Sequence, residues 1–395
     1  MNGFLILIGL SLLFLSYLIT ESILFNRKIN RIPIRISVSG TRGKSTITRT
    51  LAAVLRAHGI RVLAKTTGSE PVYILPDGTI EKIRRKGPTT ILEQKRLVSK
   101  AVSLDVQCLV AEIMSIHPDN HKTETHKLIK PGITILTNFR ADHTDVAGTS
   151  VREISELFEN DIFPGSKIIM PEKELNEFIL KAVQQKKARL IRAGTGISLE
   201  LNLPESVRQK HIPANLDVIV TASRYLRIPD DHIVKGILDT HLDIGQHEIF
   251  SFHAGQRKIW FVNAFAANDP VSTRQIMAKI REMLEPEITA GLMTIGLLAL
   301  RSDRGERSRQ WLDFLKSDGQ DLFSQIFVSG IHSRVFTLKL KNCERLRSRD
   351  PGEITRQITA SSNSDMLVFG IANIHGLGMD LIGYWKNRQP ITDNR

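Results

Sequence analysis

A glycine-containing loop between a strand pattern and a helical pattern constrains this sequence most. Residues 34–38 (IRISV) alternate apolar with polar side chains as a strand does, and the loop Ser39–Thr46 (SGTRGKST) follows directly. Backbone N–H groups of such a loop and of the following helix N-terminus bind phosphate oxygens. Lys44 suits the β/γ-phosphates and the Ser45 hydroxyl suits Mg²⁺. The chain is therefore predicted to place ATP and Mg²⁺ at the end of a strand in an α/β fold.

The loop is shorter than the general phosphate-loop pattern, because Val38 stands five residues before Gly43, where that pattern has glycine. This G-T-x-G-K-S form excludes the commonest G-protein and motor patterns. A glycine turn that merely starts a helix is the alternative. The predicted phosphate contacts come from Gly40, Thr41, Arg42, Gly43, Lys44, Ser45 and Thr46.

Apolar runs typical of buried strands alternate with helical stretches along the rest of the chain. We predict strands at 61–64, 106–113, 133–137 and 166–170 and helices at 45–58, 90–103 and 151–160, with a helix pair within 216–238. A second unit is predicted from about residue 255, with strands at 258–263, 292–300, 325–329 and 366–370 and helices at 271–284, 307–316 and 377–386. Such alternation favours mostly parallel sheets covered by helices on both faces.

The N-terminus predicts a membrane anchor. Residues 1–20 carry no charged side chain, and residues 3–19 are almost wholly apolar, which approaches the ~20 residues that span a bilayer as a helix. A signal peptide, which would have a basic start and an A-x-A-like cleavage site, and an interfacial helix are the alternatives. The positive-inside rule places the catalytic part in the cytoplasm of a single-pass protein, because four basic residues follow without an acid among them: Arg27, Lys28, Arg31 and Arg35.

The predicted organisation is thus an anchor at 1–25, a P-loop central domain with a mostly parallel sheet at 26–252, and a Rossmann-like α/β C-terminal domain at 253–395.

The net charge is 54 − 41 = +13, which suits nucleic acid, an anionic membrane surface or an acidic substrate. An aromatic content of 6% and the anchor argue against nucleic acid. Two cysteines, Cys108 and Cys343, indicate structural thiols in a reducing compartment.

Polar residues at two further strand ends are candidates for metal and nucleotide binding. Glu112 ends an apolar strand, so its carboxylate is expected at the edge where open α/β sheets bind ligands, and Mg²⁺ takes such oxygen ligands. His143 follows the next strand and is expected at the same edge. A surface polar group is the alternative for each residue.

Two other clusters are less specific. His117, His121 and His126 include an i, i+4 pair that could bind a metal, but Pro118 between the pair and the lack of a third acidic ligand favour a solvated polar segment. The basic run Lys82–Lys86 (KIRRK) in a loop bounded by glycine and proline is either solvated or, beside an active site, binds an anion.

Seven blocks, in order and spacing, resemble the ligase subunit of poly-γ-glutamate synthase, a membrane-anchored branch of the Mur ligase superfamily. The resemblance runs from about residue 33 to the C-terminus, whereas the phosphate loop alone would also suit folylpolyglutamate synthases and cell-wall Mur ligases. The blocks are VSGTRGKSTITR, KTTGSEPVYILPDGT, AEIMSIHPDN, ITILTNFRADHTDVAG, NAFAANDPVST, LRSDRGERSRQW and GIANIHGLG.

The resemblance implies roles for individual residues. Ser45 and Glu112 would hold a first Mg²⁺ and His143 would help to hold a second. The residues implied in nucleotide binding outside the loop are Asn215, Asn268 within segment 267–272, and the pair Asp303 and Arg304.

Two departures from the family pattern are visible. The lysine that many family members carbamylate after the histidine motif has no counterpart, because Lys167 already lies in the next predicted strand. The separate N-terminal substrate domain is replaced by the anchor.

The resemblance implies an ATP-dependent ligase that joins glutamates through γ-carboxyl linkages by way of an acyl phosphate, together with other membrane subunits of a synthase and export complex. The basic residues Lys82, Arg84, Arg85 and Lys86 are then a predicted track for the acidic poly-γ-glutamate chain. The alternatives are a folylpolyglutamate synthase-like or other Mur-type ligase, and a membrane-tethered P-loop ATPase of an export complex. A nucleic-acid-binding protein is the least supported reading.

Overall fold

The computed structural model describes residues 2–68, 71–85, 89–140, 148, 150–208, 211–240, 248–266, 269–285 and 292–388. The chain forms two compact units, unit 1 at Met1–Asp243 and unit 2 at Ile244–Arg395. Each unit is built on its own sheet, which confirms the predicted α/β fold with two mostly parallel sheets.

Unit 1 contains an eight-stranded sheet with the order β4-β3-β2-β5-β1-β6-β7-β8. Strand β3 is antiparallel to both of its neighbours, β2 and β4, and the other pairs are parallel. The parallel strands therefore end together at one edge of the sheet, here called the carboxyl edge. The strands are β1 (Ile34–Ser39), β2 (Val62–Thr66), β3 (Val72–Ile74), β4 (Ile80–Lys82), β5 (Cys108–Glu112), β6 (Ile133–Leu136), β7 (Lys167–Pro171) and β8 (Arg189–Ala193).

Helices cover both faces of this sheet because its central strands are apolar on both sides. One face packs against α2, α8 and α9, and the other against α1 and α3. The described helices are α1 (Asn2–Ile29), α2 (Lys44–Ala57), α3 (Glu93–Ser103), α4 (Pro118–Thr123), α5 (Val151–Phe158), α6 (Glu177–Gln185), α7 (Glu205–Arg208), α8 (Pro213–Tyr225) and α9 (Asp230–Leu238), with a π-helical segment at Glu124–Ile129 and 3₁₀ turns at Glu159–Asp161, Glu172–Glu174 and Ile197–Glu200.

Unit 2 contains a six-stranded sheet with the order β13-β12-β11-β14-β10-β9, in which β9 is antiparallel to β10. Three tryptophans, Trp260, Trp311 and Trp385, are fully buried around it. Its described elements are β9 (Ile249–Ala254), β10 (Arg257–Asn263), α10 (Pro270–Leu284), β11 (Met293–Ala299), α11 (Gly305–Lys316), β12 (Gln325–Ser329), α12 (Ser333–Lys339), β13 (Cys343–Arg345), α13 (Pro351–Ala360), β14 (Met366–Ile371) and α14 (Leu377–Arg388).

Helix α1 is long and apolar enough to cross a membrane, and the apolar window within it is not buried inside the protein. The helix continues without a break past the predicted end of the anchor at residue 25 and ends at Ile29. The helix therefore connects the apolar N-terminus directly to the rest of unit 1.

Candidate active site

The phosphate loop adopts a backbone that two glycines make possible. Gly40 and Gly43 have φ angles of +113° and +86°, a region that disfavours side chains. A Cβ atom on Gly40 would lie 2.3 Å from Thr137 Oγ1, and one on Gly43 would lie 2.8 Å from the side-chain amide of Asn215. Neighbouring residues thus pack closely against the loop at both glycines.

Lys44 begins α2 directly after Gly43. Its ammonium donates hydrogen bonds to the carbonyl oxygens of Gly40 (2.6 Å) and Thr41 (3.2 Å). The amine is therefore held over the loop, where the sequence predicts the phosphates. Thr46 follows in the first turn of α2 and is half-buried.

Ser45 and Glu112 lie together, although 67 residues separate them. The Ser45 hydroxyl donates to Glu112 Oε2 (2.8 Å), and the Glu112 side chain ends β5 almost fully buried. Thr67, just after β2, donates to the same carboxylate from its backbone N–H (2.9 Å) and its hydroxyl (2.8 Å). Hydroxyl and carboxylate oxygens are the ligands that Mg²⁺ prefers, so this donor set fits magnesium.

No group of three or more His, Cys, Asp or Glu side chains able to hold a metal occurs among the residues that the structure describes. A Mg²⁺ ion bound with nucleotide fits this arrangement, because magnesium commonly uses one or two protein oxygens together with phosphates and water.

The segment after β6 supports the phosphate loop. The Asn138 side chain accepts from the Arg42 N–H (3.1 Å) and donates to the Arg42 carbonyl (3.0 Å), forming a two-bond clamp. Thr41 donates from its N–H to the Asn138 carbonyl (3.0 Å), and its hydroxyl bonds with the backbone of Arg140. Sequence reasoning placed this segment at the edge but did not identify Asn138 or Thr67 as supporting residues.

Asn215 lies in the first turn of α8 and is buried, and its side-chain amide leaves no room for a Cβ atom at Gly43. Three predicted site residues, His143, Asn268 and Lys86, lie outside the described residues. Lys167 is the first residue of β7, at the end of the strand away from the carboxyl edge.

Part of the histidine cluster is buried. The solvated polar segment that the sequence favoured is therefore wrong for His121. His117 is exposed, but His121 is 2% exposed and its Nδ1 lies 2.9 Å from both carboxylate oxygens of the fully buried Asp161. Asp161 also accepts from the Thr125 hydroxyl (3.1 Å) and from Ser39 Oγ (2.5 Å), the residue that precedes Gly40. The pair therefore supports the strand end that carries the phosphate loop.

Electrostatics favours the charged form of this histidine. Burial lowers the pKa of His121, but the charge and hydrogen bond of Asp161 and the charge of Glu124 together raise it above its ordinary value. Glu124 is itself buried, and burial raises its pKa despite hydrogen bonds from Ser115 and the Met114 N–H. The buried acids Asp161 and Glu124 thus both act on the buried His121 near the phosphate loop.

The basic run is only partly a loop, which is a second correction. Lys82 is the last residue of β4, where it pairs in register with Val72, and Arg84 is exposed. Arg85 forms a two-bond ion pair with Glu93 (2.7 and 3.2 Å). Glu93 also pairs with the fully buried Lys65 at 3.1 Å, and burial lowers the pKa of that lysine. Arg85 is therefore committed to a structural network.

In unit 2, the candidate residues follow β11. Asp303 accepts two hydrogen bonds from Arg301 (2.9 and 2.7 Å), which lower its pKa. Arg304 precedes α11, and Arg307 in that helix donates to Asn373 Oδ1 (2.6 Å) after the neighbouring strand β14. Burial and the charges of Arg301 and Arg304 lower the pKa of His375, a residue that the sequence analysis did not select although it lies in a matching block. These groups collect at the carboxyl edge of the second sheet.

Comparison with known proteins finds a family model that matches each unit. Residues 38–222 match the Mur ligase middle domain, and residues 249–388 match the poly-gamma-glutamate synthase CapB C-terminal domain. Unit 1 is thus similar to the Mur ligase middle domain, and unit 2 to the CapB C-terminal domain. The predicted resemblance is thereby confirmed, and so is the prediction of an ATP-dependent amide-bond ligase.

Two curated relatives of CapB type cover most of the chain. The capsule biosynthesis protein CapB of Bacillus anthracis is 28% identical over 397 residues, covering 95% of this chain and 82% of that protein. The PGA synthase CapB of Bacillus subtilis (strain 168) is 27% identical over 367 residues, covering 90% and 91%.

Solved structures of Mur-type ligases share the fold. A bifunctional folylpolyglutamate synthase/dihydrofolate synthase from Yersinia pestis with AMPPNP and a Mn ion has a TM-score of 0.68 and 14% identity, covering 92% of each chain. A structure of such an enzyme with Mn, AMPPNP and L-glutamate bound gives a TM-score of 0.64 at 14% identity and the same coverage. MurF from Acinetobacter baumannii gives 0.59 at 15% identity, covering 91% of this chain and 79% of the other.

Proposed function

We propose that this ligase polymerises glutamate through γ-carboxyl linkages at the cytoplasmic face of a membrane, with ATP and Mg²⁺. The hydrogen bonds that join Ser45 and Thr67 to Glu112 carry the proposal, because they bring oxygen ligands next to the loop that we propose binds the triphosphate. The CapB relatives and the glutamate in a Mur-type neighbour support the substrate. Helix α1 supports the membrane location.

The proposed domains are the anchor at 1–25, the ATP-binding domain at 26–252 and the C-terminal domain at 253–395. The proposed nucleotide contacts are the loop residues 40–46 with Asn215, Asn268, Asp303 and Arg304. Lys82, Arg84 and Lys86 are proposed to bind the acidic chain, whereas Arg85 is engaged with Glu93. The proposed partners are further membrane subunits of a synthase and export complex.

The chemical difficulty is that a glutamate carboxylate and the γ-phosphate repel each other. Lys44 and the loop N–H groups offset this negative charge, and Ser45 and Glu112 would hold the Mg²⁺ that further neutralises the phosphates. We propose that a γ-carboxylate oxygen attacks the γ-phosphorus and ADP leaves, giving an acyl phosphate. A glutamate amine then attacks the acyl carbon, phosphate leaves, and the amine loses its proton.

The test uses the full chain in membranes with ATP, Mg²⁺ and labelled glutamate, with aspartate as the matched control. We expect glutamate-dependent phosphate release and a protease-resistant, acid-hydrolysable polymer. Hydroxylamine added during turnover should trap the acyl phosphate as a hydroxamate. ATP hydrolysis of equal rate with and without glutamate, and no polymer, would instead identify an ATPase of an export complex.

A further inference from the structure

Helix α1 is anchored in the core of unit 1 by its last turns. Phe25 and Ile29 pack, together with Ile32, into the apolar cluster that contains Leu97 and Val98 of α3. The Lys130 ammonium donates to Asn26 Oδ1 at 2.7 Å. The end of the helix is therefore fixed to the sheet and cannot turn independently of it.

Two side-chain contacts show which way α1 runs. Glu21 pairs with Lys95 at 2.7 Å, and the Lys28 ammonium lies 3.5 Å from Ser99 Oγ. Contacts therefore advance in the same direction along α1 and α3, so the two helices run side by side with their N-termini at the same end.

Helix α3 begins at the carboxyl edge of the sheet. The Gln94 side chain donates to the carbonyl of Glu112, the last residue of β5, and Glu93 pairs with Lys65 near the end of β2. The helix then runs back to the start of β5 at Cys108. Because α1 runs the same way, the residues before Glu21 project beyond the carboxyl edge.

The projecting segment matches the thickness of a bilayer. Eighteen residues, 3–20, rise about 27 Å in a helix, close to a hydrocarbon core of about 30 Å. Their large apolar side chains are exposed, such as Phe4 (68%) and Leu13 (70%). If they lie in lipid, the Glu21–Lys95 ion pair lies at the headgroups and the carboxyl edge lies directly beneath.

We propose that the carboxyl edge of unit 1, with the phosphate loop and Glu112, faces the lipid surface of the membrane in which α1 is embedded. The proposal rests on the proposed anchoring by α1. It places the reacting ends of the acidic chain in the space between the sheet and the bilayer. Lys82 and Arg84 border the same space, because β4 ends level with the carboxyl edge.

The test compares two labels at the opposite ends of α3. Thr90→Cys lies just before the helix and Ser103→Cys at its end, and both positions are exposed. Each is made in a Cys343→Ser background, because Cys343 is only partly buried and could also take up the label. Cys108 is kept, because it is buried and burial raises the pKa of its thiol. Each full-length variant is labelled with a small fluorophore and reconstituted in phosphatidylcholine/phosphatidylglycerol vesicles that carry a headgroup nitroxide.

Because helix α3, which rises about 15 Å, lies between the two positions, quenching at 90 should exceed quenching at 103 by about twofold or more. The comparison is independent of the direction of insertion, since each label is measured against the leaflet nearest to it. Equal quenching, or stronger quenching at 103, would overturn the proposed orientation.

Co-sedimentation and ligase activity are measured on the same vesicles. A chain that does not co-sediment would overturn both the anchor and the orientation. If phosphate release depends on glutamate but quenching is reversed, the orientation alone is overturned. If quenching is as expected but phosphate release does not depend on glutamate, the result counts against the proposed reaction alone.

Discussion

The two sheets end in similar polar residues, but these residues are held in different ways. In unit 1, Glu112 is 2% exposed and bonded by Ser45 and Thr67, which lie 67 and 45 residues away in sequence. In unit 2, the Asp303 side chain is 56% exposed and bonded by Arg301, two residues away. Glu112 is thus fixed by tertiary contacts and Asp303 by a local ion pair. Preorganised groups stabilise developing charge most, so the first edge should dominate catalysis.

The largest effect is expected from Lys44→Ala in unit 1. The substitution removes the ammonium that lies over the loop carbonyls of Gly40 and Thr41, and with it a charge opposing the γ-phosphate. Loss of one such group costs about 10²–10³ in kcat. Glutamate-dependent phosphate release measures the effect, with the exposed Lys173→Ala as the control. Unchanged turnover in Lys44→Ala would mean that the loop is not the phosphate site.

A second comparison sets two buried carboxylates of unit 1 against each other. Glu112→Gln should lower metal-dependent turnover by about 10²-fold, because a neutral amide is a poor Mg²⁺ ligand. Glu124→Gln should keep the metal dependence, because Glu124 bonds only with Ser115, Met114 and Gln94 in the contacts the structure describes. Titration of activity with Mg²⁺ and Mn²⁺ separates them. An equal loss of turnover in both variants would show that Glu112 has no specific role in metal binding.

Asp303→Asn tests the exposed edge of unit 2. We expect the KM for ATP to rise by up to about tenfold, which corresponds to about 1.4 kcal/mol of binding. The melting temperature should hardly move, since exposed ion pairs such as Arg301–Asp303 contribute about 0–1 kcal/mol. Asp313→Asn, which breaks the exposed Arg309–Asp313 pair, is the matched control. A strong loss of stability in Asp303→Asn would show that this edge is also built for structure.

An effect on stability, and not on catalysis, is expected from His121→Gln. The pKa of His121 is raised in the folded chain above its ordinary 6.5, so the histidine–Asp161 pair contributes fully below that value. The contribution is lost as the pH rises through the folded-state pKa. The free energy of unfolding should therefore fall by about 1–3 kcal/mol below pH 6.5 and by less at higher pH. Urea unfolding across pH 5–9 checks this, and a pH-independent difference would contradict the charged pair.

The sequence predicted the regular parts of both sheets because their long apolar strands and helices carry periodic patterns. It missed β3, β4 and β13, which have three residues each and leave no pattern to detect. It also missed β8 and the antiparallel strand β9.

For the candidate site, a strand end and a loop pattern were enough to select Glu112 and Ser45, and the structure brings them together. The supporting contacts were beyond sequence reasoning. Asp161 lies 40 residues from His121, and no spacing rule links a buried histidine to so distant an acid. Thr67 and Asn138 likewise act through contacts that only the folded sheet creates.

Because α1 is one unbroken helix, its length determines how its apolar half is oriented relative to the sheet. Each residue of an α-helix turns the chain by about 100° and advances it by about 1.5 Å. A single insertion between Thr20 and Glu21 would thus rotate the whole apolar half of α1 relative to the sheet, while Phe25, Asn26 and Ile29 kept their places in the core. The number of residues between Glu21 and the core contacts therefore sets which face of the apolar half is turned toward each side of unit 1.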